Sequence, residues 1–393
     1  MATLLLVIIY IAFIGLGLPD SLLGAAWPVA HLDLGVPLSV AGFSSLMITV
    51  GTVVSSLLSE RLIKAFGTGK VAAVSVFMTA AALMGMGFVR DFWVVLALAL
   101  PLGLGGGTID SALNNFVALH YRSSHMNWLH CFWGVGATAG PAIMALYLAR
   151  NNWHGAYRAI SLTLLGISLI LAVSLPLWRR MGGGDAAPHE SKAPTPRRVL
   201  LRLPGAVFGC LAFFTYCAIE FSTGLWASTY FVNVKGVAPD TAASWASLYY
   251  LGITLGRLAS GFAALKISSR TLVRIGEGAL LAGVLAVIVL PGAGVLVGLL
   301  LMGVGSAPIF PSLLDQTPHL FGAQYSQGMM GLQFAGAYLG GTLLAPFFGL
   351  ISPVIGLWTL PIYLLIITGI MVFSTERTHW AVRKSELRAA SQP

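Results

Sequence analysis

Long apolar stretches are the feature of this sequence that most restricts its fold. The first begins at Met1 and continues past Pro28, and eleven more are centred near residues 48, 80, 105, 137, 166, 218, 250, 280, 302, 336 and 363. Each is close to the length of about 20 apolar residues that a helix needs to cross a bilayer. A segment exposed to lipid satisfies its backbone hydrogen bonds as a helix. We therefore predict an all-α membrane protein with twelve transmembrane helices.

The composition excludes several other classes of protein. The 393 residues are 57% hydrophobic and 9% charged, whereas soluble domains carry about 25% charged residues. Twelve spans leave little chain for a soluble domain, and the basic residues that give a net charge of +9 are scattered through short connections. We therefore expect no nucleic-acid partner. We expect the chain to be embedded in the lipid bilayer.

The three cysteines, Cys131, Cys210 and Cys217, all fall in apolar stretches. Cys210 and Cys217 are two turns apart on one helix, which is too far to form a disulfide. We expect no disulfide, no metal site and no cofactor.

Basic residues predict the orientation of the chain. Lys and Arg concentrate in the 2–3, 4–5 and 8–9 connections, in the middle segment and near the C-terminus, whereas the opposite side carries Arg90, Arg150, Arg158 and Lys235. Because cytoplasmic loops are enriched in Lys and Arg, we expect both termini to be cytoplasmic and the chain to be a multi-pass protein of the cytoplasmic membrane.

The middle segment divides the chain into two halves of six spans. We predict an N-terminal six-helix bundle at 1–178, a cytoplasmic linker at 179–203, a C-terminal six-helix bundle at 204–374 and a cytoplasmic tail at 375–393. Equivalent features recur at an offset of about 200: Asp20 and Glu220, Gly24 and Gly224, Lys70 and Arg270, Gly136 and Gly336, Gly140 and Gly340. Intramembrane acids are rare, so the acid pair indicates a duplication with parallel halves about a central axis.

Polar side chains within the apolar stretches are confined to some spans. Spans 1, 4, 5, 7 and 11 carry Asp20, Asp110, Asn114, Asn115, Asn127, His130, Glu220, Gln327 and Gln333, whereas spans 3, 6, 9 and 12 have no Asn, Gln or His. This alternation predicts that every third helix faces lipid and that the others surround a wet cavity.

That pattern resembles the major facilitator superfamily over essentially the whole chain. Segment 56–70 is similar to a degenerate form of the loop motif of that family, and segments 15–28, 103–121, 127–141 and 216–226 resemble its fucose-permease-like branch. The resemblance implies two six-helix bundles that transport a sugar or a similar polyhydroxylated solute. It also implies proton coupling by one acid in span 1 and one in span 4, the helices of Asp20 and Asp110.

Three acids are candidates for proton coupling. An unpaired acid within a span costs about 2.5 to 3.5 kcal/mol on insertion scales, so Asp20 is expected to be functional, with Asp110 and Glu220 as supporting acids. The alternatives are that Asp20 caps a helix break at residues 15–19, that Asp110 is a buried polar contact to a neighbouring helix and that Glu220 binds a cation or a cationic solute.

Aromatic and amide side chains are candidates for solute binding, since aromatic faces pack on sugar rings while amides bind hydroxyls. The candidates are Trp27, Asn114, Asn115, Asn127, His130, Trp226, Tyr249 and Gln333. Asp110 and Asn114 share one helix face at i, i+4. Packing is the alternative for the tryptophans, and a helix contact is the alternative for His130.

Four charged residues are candidates for a gate. Glu60 and Arg61 occupy the acidic-basic position of the loop motif, and we expect Arg257 and Asp315 to form charge pairs on the cytoplasmic side that break when the cavity opens inward. Ordinary snorkelling of charged ends is the alternative.

These features together predict a secondary active transporter that moves a sugar by proton symport with alternating access. No phosphate-binding loop is present, and no nucleophile–base pair indicates an enzyme. Sodium is the alternative coupling ion, and we expect a monomer. An exporter of drug-like or cationic compounds and a solute sensor are the alternative functions.

Overall fold

The computed structural model describes residues 2–121, 123–180 and 196–390. Every regular element within these ranges is a helix. The predicted all-α fold is therefore confirmed for the described part of the chain.

The first half consists of six spans, of which the first is broken into two helices. The break covers residues 18–21, where Pro19 and Asp20 stand between α1 and α2. The helices are α1 (Ala2–Gly17), α2 (Leu22–Asp33), α3 (Ala41–Phe66), α4 (Thr68–Met86), α5 (Phe92–His120), α6 (Ser123–Leu148) and α7 (Trp153–Val173), with a 3-10 turn at Leu38–Val40.

The second half repeats this order after two short helices, α8 (Leu175–Arg180) and α9 (Arg197–Arg202). Its spans are α10 (Ala206–Lys235), α11 (Pro239–Ala263), α12 (Ser269–Val289), α13 (Gly294–Phe321), α14 (Ala323–Ile355) and α15 (Leu360–Ala390), with a 3-10 turn at Leu357–Thr359. Eleven of the described spans are long and apolar enough to cross a membrane. The twelfth, α11, has the length but is rich in Ser, Thr, Tyr and Gly.

Two predicted boundaries look different in the structure. The predicted linker at 179–203 is helical at both ends, in α8 and α9, while residues 181–195 lie outside the described part of the chain. Helix α15 continues without a break across the predicted start of the tail at residue 375.

Equivalent helices pack in the same way in the two halves. In the first half α5 packs on α3 and α4, α7 on α4, and α1 on α6. In the second half α13 packs on α11 and α12, α15 on α12, and α10 on α14. The same four pairs of spans thus form in each bundle, which supports the duplication predicted from the sequence.

The bundles meet through three pairs of helices: α2 with α10, α3 with α14, and α6 with α11. The repeat-related Gly24 and Gly224 lie against each other, and a Cβ atom added to Gly24 would overlap the carbonyl oxygen of Gly224 and lie 2.9 Å from the Cα atom of Leu225. The Cβ position of Gly42 is 2.7 Å from the Cα atom of Pro346. The second half of span 1 and the start of span 2 are at the end away from Ala2, so the bundles are closed at the end opposite the termini.

Glycines also bring helices together within each bundle. A Cβ atom on Gly103 would overlap the carbonyl oxygen of Ile48, and one on Gly136 would overlap that of Ile14. Gly340 makes the equivalent approach to the carbonyl oxygen of Phe214. Small residues allow this close packing where lipid supplies no hydrophobic driving force.

The Gly24 contact predicts opposite effects for two identical substitutions. Gly24→Ala places a methyl group against backbone, which cannot move aside as a side chain does, so α2 and α10 must separate. We expect a lower unfolding temperature in detergent and a transport rate reduced several-fold. Gly166→Ala on α7 is the matched control because its Cβ position has no atom within 4 Å, and Ala is favoured over Gly in helices by roughly 0.5–1 kcal/mol. Equal behaviour of the two variants would contradict a tight contact at Gly24.

Candidate functional site

The break in the first span places Asp20 beside α6. Its backbone lies in the turn between α1 and α2, and its Oδ2 accepts a hydrogen bond from the indole Nε1 of Trp133 at 2.7 Å. The adjacent Ser21 donates from Oγ to the carbonyl oxygen of Ala137 at 3.1 Å. Asp20 lies deep within the protein, but part of its side chain remains accessible to solvent. It therefore lies on the wall of an internal cavity.

Two further carboxylates face this cavity. The charges of Asp110 on α5 and Glu220 on α10 are close enough to interact with that of Asp20. Asn114 donates from Nδ2 to the Oδ1 of Asp110 at 2.8 Å, which confirms that the two share a helix face. Asp110 also interacts electrostatically with Tyr338 on α14. The acids named from the sequence are thus brought together, two from one bundle and one from the other.

Tyrosines and a thiol surround Glu220. The side chains within its electrostatic range are Tyr216, Cys217, Tyr249 and Tyr250. The hydroxyl of Tyr216 is buried and has no hydrogen-bond partner in the described residues. The hydroxyl of Tyr249 lies 3.5 Å from the Oγ of Ser306. Glu220 is therefore a half-buried carboxylate beside buried tyrosines.

Arg257 lies at this cavity. Its guanidinium lies over the ring of Trp133, 4.9 Å from the centroid, and it interacts electrostatically with His130. The predicted partner Asp315 is exposed instead and accepts a hydrogen bond from Ser269 Oγ at 2.5 Å. Arg257 and Asp315 form no ion pair in the described part of the chain, so the expected pair stays a prediction for the state in which the cavity is closed on the cytoplasmic side.

The two predicted tryptophans are part of the closed end and not of the cavity wall. Trp27 is 1% exposed and donates from Nε1 to the carbonyl oxygen of Leu38 at 2.7 Å, and Trp226 is fully buried and donates to that of Ala345 at 2.7 Å. Neither ring leaves a face open to a solute in this conformation. Both indoles instead donate to backbone carbonyls, that of Leu38 at the start of the first 3-10 turn and that of Ala345 within α14.

Gln333 and Tyr249 are also buried. The Oε1 of Gln333 accepts a hydrogen bond from Thr317 Oγ1 at 2.9 Å, so this amide joins α14 to α13 inside the C-terminal bundle. His130 is half-buried on the cavity side, with its ring edge-on to Phe13.

Several predicted residues remain untested by the geometry. The side chains of Glu60, Asn115 and Asn127 lie outside the described residues, and Arg61 is exposed at the end of α3.

Sequence reasoning missed Trp133, which contacts both Asp20 and Arg257. The available signal was its spacing: Trp133 follows His130 by three residues and so shares a helix face with it. Tyr250, whose ring is T-shaped to that of Trp133 with centroids 6.5 Å apart, was missed as well.

The family model of the Major Facilitator Superfamily matches residues 9–345 of this chain. A similar protein of Saccharomyces cerevisiae, Bypass of stop codon protein 6, is 26% identical over 281 residues, which is 64% of this chain and 55% of that protein. The chain thus spans about half the length of this yeast relative. The Glucose/mannose transporter GlcP of Bacillus subtilis is 21% identical over 296 residues, covering 74% of this chain and 73% of GlcP.

Solved structures share the fold at low sequence identity. The nucleoside transporter NupG has a TM-score of 0.76 at 12% identity and covers 95% of this chain and 98% of its own. A bacterial homologue of the human lysosomal transporter Spinster, in an inward-facing and unoccupied conformation, has a TM-score of 0.74 at 11% identity and covers 97% of both chains. With twelve described spans in two repeated bundles around a polar cavity, this chain is a multi-pass membrane protein, and it belongs to the major facilitator superfamily.

Proposed function

We propose that this chain imports a sugar or similar polyhydroxylated solute across the cytoplasmic membrane by proton symport. The observation that carries the proposal is the position of Asp20, in the break of the first span, on the cavity wall and within electrostatic range of Asp110 and Glu220. The coupling ion is then a proton held by Asp20, with the other two acids in support.

The electrostatics of the cavity favour a proton as the coupling ion. Three carboxylates in a medium of low dielectric constant repel one another when all are charged, and Arg257 makes no ion pair with any described carboxylate. A proton that binds to one carboxylate relieves this repulsion. The energy for uphill transport thereby comes from the proton gradient.

The lining of the cavity favours a hydroxyl-rich solute. Asn114 supplies an amide beside Asp110, and the half-buried Trp133 supplies aromatic surface. Acids and amides bind hydroxyl groups while aromatic rings pack on the apolar faces of a sugar. The similarity to the Glucose/mannose transporter GlcP supports the same solute class.

Closure at the end opposite the termini supports alternating access. With both termini cytoplasmic, as the basic residues predict, the closed end faces outward and the described conformation is inward-facing. Import then requires the contacts of α2 with α10 and of α3 with α14 to open and the opposite end to close.

The excess of three acids over one arginine favours a second candidate, the export of a cationic compound by proton antiport. Cells that lack their own drug pumps and express this chain distinguish the two. Resistance to cationic dyes without sugar uptake would favour export.

Asp20→Asn tests the proposed coupling. The variant keeps an acceptor for Trp133 but has no titrating group, so we expect sugar-induced alkalinisation of a weakly buffered cell suspension to be lost while exchange of labelled sugar continues. Asp33→Asn is the matched control, because Asp33 also accepts an indole hydrogen bond, from Trp153 at 2.7 Å, but lies at the far end of α2. Uphill, proton-driven transport by Asp20→Asn at the parental rate would refute this role.

Asn114→Ala tests the polar side of the cavity. The substitution removes the donor to the Asp110 carboxylate, and hydrogen bonds to charged groups contribute about 1.5–3 kcal/mol, so we expect initial uptake to fall at least tenfold at equal surface expression. Asn233→Ala is the control. Asn233 on α10 donates to the carbonyl oxygen of Thr229, four residues earlier, at 3.0 Å, and its amide donates to no carboxylate among the described residues. An equal loss in both variants would indicate a helix defect instead of a site defect.

A further inference from the structure

Trp133 on α6 joins an acid of one bundle to a cation of the other. Its Nε1 donates to Asp20 Oδ2 at 2.7 Å, and its ring carries the guanidinium of Arg257, 4.9 Å from the centroid. Asp20 and Trp133 belong to the N-terminal bundle, whereas Arg257 belongs to α11 of the C-terminal bundle. The indole is therefore held between opposite charges at the interface of the two bundles.

The surrounding contact of α6 with α11 is close and only weakly polar. The Cβ atom of Thr254 lies 3.2 Å from the Cβ position of Gly134, and the Oγ1 atoms of Thr138 and Thr254 are 3.5 Å apart. Arg257 has no carboxylate within ion-pair distance in the described part of the chain. The cation–π contact with the ring of Trp133 is thus the contact that the guanidinium of Arg257 makes here.

The indole of Trp133 can couple the ionisation of Asp20 to the strength of its contact with Arg257. A hydrogen bond to an ionised carboxylate is shorter and stronger than one to a neutral acceptor, and an N–H that donates to an anion leaves more electron density on the ring. The attraction of a cation for an aromatic face depends on that density. Arg257 therefore responds to the ionisation of Asp20 without touching it.

We propose that Trp133 is the positioning residue through which the protonation of Asp20 loosens the contact between α6 and α11. The inference rests on the proposed function in taking Asp20 as the proton carrier. Ionised Asp20 strengthens the Trp133–Arg257 contact and holds the described conformation, and a proton on Asp20 weakens it. Coupling between two equilibria is reciprocal, so assembly of this contact favours release of the proton on the side to which the cavity opens.

Other titratable and charged groups face these residues and act independently of the indole N–H. Around Asp20 they are Asp110 on α5, Glu220 on α10 and Tyr250 on α11, and around Arg257 they are His130, Cys131, Tyr216, Cys217 and Tyr249. None of them is altered by Trp133→Phe, which removes the N–H and keeps an aromatic face. That substitution therefore isolates the proposed link.

The test measures the distance between the bundles as a function of pH. Spin labels are attached to Lys70→Cys and Lys266→Cys, two exposed positions beside α4 and α11, after the three native cysteines are replaced by serine. For the full-length chain in liposomes we expect the ratio of the two distance populations to change about fivefold on acidification, the change that a cation–π contact of roughly 1 kcal/mol supports. Asp20→Asn and Trp133→Phe are each expected to remove most of this response, and the double variant no more than either alone.

The control is Trp128→Phe, since Trp128 lies on the same helix and is 45% exposed, and it is expected to keep the full response. Arg257→Gln removes the cation of the same contact and is expected to remove most of the pH response, whereas Arg257→Lys is expected to keep part of it. These two variants test the proposal even if Trp133→Phe misfolds. A full pH response in Trp133→Phe or in Arg257→Gln would overturn the link. If Asp20→Asn instead retains proton-driven uptake, the proposed carrier is wrong, which is a separate result.

Discussion

The hydrocarbon core of the bilayer leaves no water for an unpaired backbone group, and the rest of this structure depends on that constraint. It makes every described span helical and permits a break only where protein or a cavity replaces lipid. The break at residues 18–21 lies against α6, where Ser21 bonds to the carbonyl oxygen of Ala137 and Asp20 accepts from Trp133. A carboxylate is thereby presented to the cavity at the one place in the first span where the chain is not helical.

The kind of contact differs between the C-terminal bundle and the interface of the two bundles. Within the C-terminal bundle Arg274 binds Glu376 with an Nε to Oε1 distance of 2.6 Å, and Arg270 adds a contact of 3.3 Å to the same acid. These pairs join α12 to α15 on an exposed face of the bundle. Between the bundles, close glycine contacts and the Trp133–Arg257 contact replace ion pairs among the described residues. An interface without ion pairs among the described residues suits the proposed alternating access, in which the bundles must separate.

The acids of the site were predictable, and most of its aromatic residues were not. Asp20, Asp110 and Glu220 were identified because a carboxylate within an apolar span is costly, and the spacing of Asp110 and Asn114 correctly predicted their contact. Trp27 and Trp226 were assigned to solute binding because an indole suits both an apolar ring and a polar group. Their N–H groups bond to the carbonyls of Leu38 and Ala345 instead, and no local sequence pattern specifies a partner on another helix.

The sequence by itself determined the number of spans, their division into two halves and the repeat of an acid at an offset of about 200, because these depend on hydrophobicity along the chain and on the rarity of charge in lipid. Only the tertiary structure decided which polar side chains meet. Trp133 lies 113 positions from Asp20 and 124 from Arg257 in the sequence, and their contacts depend on how far α6 is rotated and how closely it approaches α2 and α11. That geometry is set by glycine packing between helices, which hydrophobic periodicity does not encode.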